Sequence, residues 1–166
     1  MRITGGQWAG CTLSVPPGLG VRPTPDKVRQ AIFNSLGPWI DGATVLELFA
    51  GSGALSLECL SRGAASAMCV EKSSKHASYI RRNAKALETK VDIRVQCALQ
   101  AVKQLAEAGR AFDFVCAAPP YGDKTALGQH SESWAQKLLD EPALVKIVNP
   151  DGRLLVGHTK RDAVEI

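Results

Sequence analysis

The chain contains no apolar run approaching the ~20 residues that a membrane-spanning helix requires. Nor does its N-terminus, Met1-Arg2-Ile3-Thr4-Gly5-Gly6, hold the apolar stretch of a secretory signal. A cytoplasmic protein with no membrane partner is expected. The five cysteines (Cys11, Cys59, Cys69, Cys97, Cys116) form no Cys-x-x-Cys pair, are odd in number and mostly fall inside apolar runs, so they read as reduced packing residues. The three histidines (His76, His130, His158) are equally dispersed, so the clustered spacing of a zinc site is missing and no metal is expected. No internal repeat, low-complexity tract or interdomain linker interrupts the chain.

What is present is an ordinary globular composition, 45% hydrophobic and 22% charged over 166 residues. One domain of that length buries roughly two thirds of its unfolded surface, and a monomer is expected. The net charge of +4 is modest but uneven. Residues 1–40 hold Arg2, Arg22, Lys27 and Arg29 against Asp26 alone, an excess of +3. Such an end is compatible with a phosphate-bearing partner, and equally with a solvated basic face.

Residues 1–21 are rich in glycine and proline with short β-prone pieces, Arg2-Ile3-Thr4 and Cys11-Thr12-Leu13-Ser14-Val15. They predict a small hairpin appendage outside the main core, leaving 22–166 as the main domain. Thr24-Pro25-Asp26 predicts a helix start with Thr24 as N-cap and Pro25 at the first helical position. Val28, Ala31, Ile32, Ser35 and Leu36 follow at helical spacing, so that face is expected to pack while Lys27, Arg29 and Gln30 point elsewhere. Gly37-Pro38 ends the helix.

From residue 43 strands and helices alternate. Strands are predicted over 43–49, 67–70, 91–97 and 112–118, with helices over 54–61, 74–87 and 99–108 between them. A helical region over 134–148, interrupted at Pro142, leads through Asn149-Pro150-Asp151-Gly152 into a fifth strand, Arg153-Leu154-Leu155-Val156. Apolar strands interleaved with helices indicate an α/β fold with a mostly parallel sheet covered on both faces.

Two strand ends carry the chemistry. Glu47-Leu48-Phe49-Ala50-Gly51-Ser52-Gly53 runs from the first strand into a helix, where glycines let a ligand approach the backbone and the helix start offers free donors. Glu71, followed by Lys72, closes the second strand 20 residues past Gly51, where a carboxylate can accept both hydroxyls of a ribose. A dinucleotide or S-adenosylmethionine satisfies this much. Ser56 stands where the dinucleotide fingerprint wants its third small residue. Glu47, an anion aimed at the site, disfavours a pyrophosphate and suits a sulfonium cofactor bearing an ammonium group.

The second feature is Ala118-Pro119-Pro120-Tyr121, at the end of Phe112-Asp113-Phe114-Val115-Cys116-Ala117. A strand ending in two prolines cannot extend its ladder, because neither ring nitrogen carries a donor and each φ is fixed. The result is a rigid rim with carbonyls that need partners, at the sheet edge where α/β folds bind ligands. A planar amine fits such a rim. Methyltransferases acting on exocyclic amino nitrogens carry a similar tetrapeptide that begins with Asp or Asn.

Taken together, Met1 to Trp8, Leu19-Gly20-Val21-Arg22-Pro23-Thr24-Pro25-Asp26-Lys27-Val28-Arg29, Leu46 to Leu55 and Leu60-Ser61-Arg62-Gly63-Ala64 resemble the RsmD family, bacterial methyltransferases of guanine N2 in small-subunit ribosomal RNA. The resemblance runs from Met1 to about Val156. It implies a Rossmann-like class I methyltransferase domain over 22–166, S-adenosylmethionine as donor, and a flipped guanine in ribosomal RNA or its ribonucleoprotein as acceptor. It implies that Thr24, Glu47, Phe49, Ala50, Gly51, Ser52, Gly53, Glu71, Lys72, Cys97 and Ala98 hold the cofactor. Ala118, Pro119, Pro120 and Tyr121 would form the catalytic rim, with Tyr121 stacking on the extruded base. Arg2, Arg22, Lys27 and Arg29 would face RNA.

The chain departs from the family pattern at two carboxylates. Asp is expected at 118, and a second Asp at the end of the third strand, where Gln96-Cys97-Ala98-Leu99 stands. The C-terminus after Val156 also leaves little room for the final hairpin of a seven-stranded sheet. An RNA- and cofactor-binding homologue with weak or lost catalysis is therefore the alternative to an active enzyme. An adenine-N6 DNA methyltransferase, whose rim is similar, is another.

Overall fold

The three inner strands of the sheet are largely apolar and buried because helices cover both of its faces there. A computed structural model describes residues 1–18, 23–120 and 133–158. Its elements are α1 (Asp26–Leu36), β1 (Thr44–Leu48), α2 (Ala54–Ser61), β2 (Ser66–Val70), α3 (Ser74–Ala86), β3 (Asp92–Arg94), α4 (Ala98–Glu107), β4 (Phe112–Ala117), α5 (Trp134–Asp140) and β5 (Val148–Val156), with 3-10 turns at Gly37–Ile40 and Leu144–Ile147. The five strands run parallel in the order β3-β2-β1-β4-β5. The chain winds outward from β1 to β3, then crosses back to β4, so the order reverses between β1 and β4.

Each face of the sheet has its own core. On one, Val45, Phe114 and Cys116 pack with Phe33 of α1, Leu55, Leu57, Cys59 and Leu60 of α2, and Ala84 of α3. On the other, Leu46, Leu48, Met68, Val70 and Val115 pack with Ala101, Val102 and Leu105 of α4 and Leu138 of α5. Burying each such large side chain stabilises the fold by about 1.5–3 kcal/mol. No helix among the described residues is long and apolar enough to cross a membrane.

The N-terminal segment, expected outside the core, is packed into it. Only Arg2 and Thr12 form a β-bridge, so the hairpin is a single rung, but Ile3 and Leu13 are buried in the first core. The segment docks on α2, all eight residues of which are buried. The Gln7 N–H donates to the Ser61 carbonyl at 2.9 Å, and the Ser61 hydroxyl accepts from the Trp8 N–H at 3.0 Å. At Gly6, with φ of 80°, an added Cβ would lie 1.9 Å from the Ser61 carbonyl oxygen, so no larger residue lets the chain approach this closely.

The centre of this docking is Glu58, fully buried. Its Oε1 accepts from the Thr4 N–H (2.8 Å), the Thr4 hydroxyl (2.9 Å) and Arg29 Nη1 (3.0 Å), and its Oε2 from the Gly5 N–H (3.0 Å) and Arg62 Nε (3.1 Å). This reorients α1 relative to expectation. The helix buries Arg29 and Phe33, whereas Val28 is 47% exposed and Ala31 faces solvent. An apolar count alone misses a face anchored by an arginine. The helix also begins one residue late, with Pro25 at the N-cap and no side-chain cap from Thr24.

Two strands differ from their predicted spans by more than one residue at an end. β3 shortens to three residues at the sheet edge, where only β2 pairs with it. β5 begins at Val148, and the turn-forming Asn149-Pro150-Asp151-Gly152 bulges out between the pairs Phe112–Val148 and Phe114–Arg153. Asn149 Nδ2 donates to Asp113 at 2.8 Å and holds that bulge.

Replacing Glu58 with Gln removes the buried carboxylate from Arg29 and leaves it the exposed Asp26 as its remaining ion-pair partner among the described residues. We expect Glu58→Gln to lose about 3–5 kcal/mol of stability, read from the urea unfolding midpoint and slope. A loss below about 1 kcal/mol would show that Arg29 is satisfied without it.

Candidate functional site

Leu48 and Ala117 are paired residues at the carboxyl ends of β1 and β4. The glycine turn and the proline rim therefore leave the sheet side by side, at the point where the strand order reverses. Ligands of doubly wound folds bind in that crevice.

The turn is held open by backbone conformation. Phe49, Gly51 and Gly53 all have positive φ, at 55°, 58° and 77°. For Phe49 this costs on the order of 1–3 kcal/mol. Its ring lies edge-on to Trp134 of α5, centroids 6.2 Å apart. The Ala50 N–H is spent on the Val70 carbonyl (3.0 Å) and the Gly53 N–H on the Ala50 carbonyl (2.8 Å). Nothing lies within 4 Å of a Cβ added at Gly51, whereas one at Gly53 would meet Ile80 at 3.0 Å. Gly51 thus leaves space for a ligand against the backbone, and Gly53 makes room for α3. Ser52 is buried, and its carbonyl accepts from Asn83 Nδ2 at 3.1 Å.

Glu47 sits beneath the turn, 3% exposed. Its Oε2 accepts from the Ser56 N–H of α2 at 2.9 Å, with the Cys69 thiol at 3.8 Å. Burial raises its pKa from 4.5 to about 7, only partly opposed by the bonds from Ser56 and the Leu55 and Ser56 backbone. The α2 N-terminus is a natural seat for a carboxylate, but a dry one. Glu71 ends β2 half-buried. Its pKa is raised, first by burial, against the lowering effect of His76, whose Nδ1 lies 3.7 Å from Oε1. Lys72 beside it is exposed.

At the end of β3, Cys97 is the N-cap of α4 and makes no capping bond with its side chain. Ala98 follows it, buried, in the first turn, where N–H groups lack intrahelical acceptors. On the rim, Ala118 and Pro120 are exposed and Pro119 is buried. The Ala117 carbonyl is taken by the Gly157 N–H at 2.8 Å. Tyr121 and Arg22 lie outside the described residues.

The residues expected to face RNA divide. Lys27 and Arg2 are exposed, although Arg2 is tied through its backbone, its carbonyl accepting from Arg29 Nη2 at 2.7 Å. Arg29 is not available to RNA. It is fully buried, pairs with Glu58 and Asp26, and sends Nε to the Thr24 carbonyl at 3.4 Å. The spacings Asp26 to Arg29 and Glu58 to Arg62 are helical ion-pair distances and were the available sequence signal. Asn83, joining Ser14 to Ser52, carries no such signal.

The family model described as Conserved hypothetical protein 95 matches residues 1–161. Ribosomal RNA small subunit methyltransferase D of Escherichia coli K12 is 42% identical over 121 residues, covering 73% of this chain and 60% of that protein. The chain thus spans less than two thirds of that relative's length. A hypothetical protein of Thermus thermophilus, TTHA0928, is similar in structure, with a TM-score of 0.78 and 28% identity over 96% of this chain and 86% of that one. A putative methyltransferase, yhhF, from Escherichia coli gives 0.68 and 30% over 93% and 74%. With the strand order, these likenesses identify a Rossmann-like class I methyltransferase fold.

The stability linked to Glu47 has a definite sign. Its folded pKa lies above the unfolded value, so the unfolded chain gives up the proton first as pH rises. The contribution is whole below about pH 4.5 and is lost as pH rises through about 7. Between pH 5 and 8 the native chain should lose ~3 kcal/mol that Glu47→Gln does not lose, read as the difference between their urea unfolding free energies. Parallel curves for the two proteins would mean that Glu47 is ionised normally.

Proposed function

The chain belongs to the Conserved hypothetical protein 95 family, and from that membership we propose that it transfers a methyl group from S-adenosylmethionine to ribosomal RNA. The acceptor we assign is the exocyclic N2 of a guanine in small-subunit RNA, free or in its ribonucleoprotein. The observation that carries this reading is the pairing of Leu48 with Ala117, which sets a glycine turn and a two-proline rim against one crevice. The names of curated relatives support the RNA substrate.

S-adenosylmethionine supplies an electrophilic methyl group on a sulfonium. The residues present fit it. Space at Gly51 admits a ligand against the backbone. Glu71, half-buried just after β2, would accept the ribose hydroxyls, and the first-turn N–H of Ala98 would meet the adenine from the edge after the next strand. Glu47, with a pKa near 7, becomes fully ionised when an ammonium approaches, an attraction that a pyrophosphate would not share. Thr24, Phe49, Ala50, Ser52, Gly53, Lys72 and Cys97 complete the proposed cofactor set.

The guanine amino lone pair is delocalised into its ring, so the nitrogen is a poor nucleophile and gains most from being held in line with the methyl group. Carbonyls of Ala118 and Pro119 accept amine protons and favour the pyramidal nitrogen. Buried Pro119 keeps that acceptor stationary. Tyr121 would stack on the extruded base, while Arg2, Arg22 and Lys27 would meet RNA. Ala118 supplies no carboxylate, which favours a second reading, an RNA-binding homologue with lost turnover. Replacing a charged acceptor with a neutral one forfeits roughly 1.5–3 kcal/mol, about one to two decades in rate.

Labelled methyl transfer to small-subunit ribosomal RNA or its particle, followed by nucleoside analysis, tests both. Label in N2-methylguanosine is expected, with Ala118→Asp faster by about one to two decades. No label from the native chain, but label after Ala118→Asp with Cys97→Asp, would establish the binding reading. Label in DNA adenine would move the acceptor. Calorimetric binding of NAD without S-adenosylmethionine would overturn the donor.

A further inference from the structure

RNA phosphates need cations, and Arg29, one of the four residues expected to supply them, is enclosed with Glu58. A second cationic surface, unmixed with carboxylates, lies on α3. Its 13 residues include Lys75, Arg81, Arg82 and Lys85 and no Asp or Glu. The chain has 20 Lys and Arg against 16 Asp and Glu. This one helix therefore holds the whole formal excess of +4, and the rest of the chain balances.

The charges are also on one side. Ala77, Ile80, Asn83 and Ala84 are buried. At about 100° per residue, Lys75, Arg82 and Lys85 fall on the opposite face, with Arg81 at its margin. All four are exposed, and none makes an ion pair among the described residues. A merely solvated helix usually interleaves both signs along its face; Glu88 and Asp92 come only after this one ends. The Arg82 guanidinium lies over the Tyr79 ring, 4.8 Å from its centroid, which directs the side chain without neutralising it.

This face is rigidly joined to the site. Asn83 Nδ2 donates to the Ser52 carbonyl, and Ile80 abuts Gly53. Lys75 lies four residues after Glu71, at the edge where the crevice opens. From Lys75 to Lys85 the helix rises about 15 Å, room for several phosphates of one strand.

We propose that the outer face of α3 is a docking surface for the phosphate backbone of RNA, engaging a stretch of the acceptor away from the modified base. This rests on RNA being the acceptor. The contacts supply affinity and register, not sequence choice.

The test is fluorescence anisotropy of a labelled RNA hairpin at salt concentrations between about 50 and 200 mM, without methyl transfer. It compares the native chain, the triple variant Lys75→Gln, Arg82→Gln, Lys85→Gln, and Lys103→Gln with Lys146→Gln. The triple variant should bind about tenfold or more weakly at low salt, with a log affinity against log salt slope shallower by about three. Its melting temperature and calorimetric affinity for S-adenosylmethionine should be unchanged, and the Lys103 and Lys146 variant should bind RNA as the native chain does. An unchanged slope in the triple variant would overturn the proposal. So would polyglutamate binding with equal affinity and equal loss, which would indicate an acidic protein instead. RNA bound through α3 without methyl transfer would sink the enzymatic reading and leave this surface standing; transfer by the triple variant with an unaltered KM for RNA would do the reverse.

Discussion

A single buried carboxylate organises this molecule. Glu58 lies inside a helix that is buried on every side, where an isolated charge would be intolerable. It is tolerated because the N-terminal strand-like segment, α1 and the end of α2 each bring donors to it. Those donors in turn have few other places to go. The Thr4 and Gly5 amides belong to a segment with one β-rung, and Arg29, itself buried, has beside Glu58 the exposed Asp26 as its ion-pair partner among the described residues. The ion group therefore fixes three pieces of chain that hydrophobic packing alone would leave free to slide. Buried ionic groups are weak evidence for net stability but a good means of choosing one arrangement over others.

The crevice depends on a different constraint, the register of a parallel sheet. Because β1 and β4 are neighbours ending at the same level, a flexible glycine turn and a stiff proline rim face one another across a strand spacing. The turn supplies close approach and the rim supplies fixed acceptors. Glu47 beneath the turn is poised between charge states by its dry surroundings, so the turn's electrostatics respond to whatever enters.

Much of this is legible in the sequence because local and global signals agree. The α2 span and the alternation of strands and helices are as expected, since continuous apolar runs leave a buried parallel sheet as the consistent solution. Glycines at 51 and 53 and prolines at 119 and 120 mark the two strand ends by backbone chemistry. What is not legible depends on contacts far apart in the chain. Arg29 looks solvent-facing because its partner is Glu58, 29 residues on. The hairpin at the N-terminus looks detached because its few apolar residues, Ile3 and Leu13, reach the core singly. The length of β5 is hidden by a bulge whose residues spell a turn.

Asn83 clamps Ser14 through both side-chain atoms, Oδ1 accepting from its N–H at 2.7 Å and Nδ2 donating to its carbonyl at 2.9 Å. Those partners are 69 residues apart. On a ribosome adding about 5–20 residues per second, Ser14 waits roughly 3–14 s after its own synthesis before Asn83 exists. During that interval Ile3 and Leu13 have partners in Phe33, Val45 and Leu57 of the first core but no clamp. The N-terminal segment is thus secured only once α3 has been made, later than the β1 and α2 residues against which it packs.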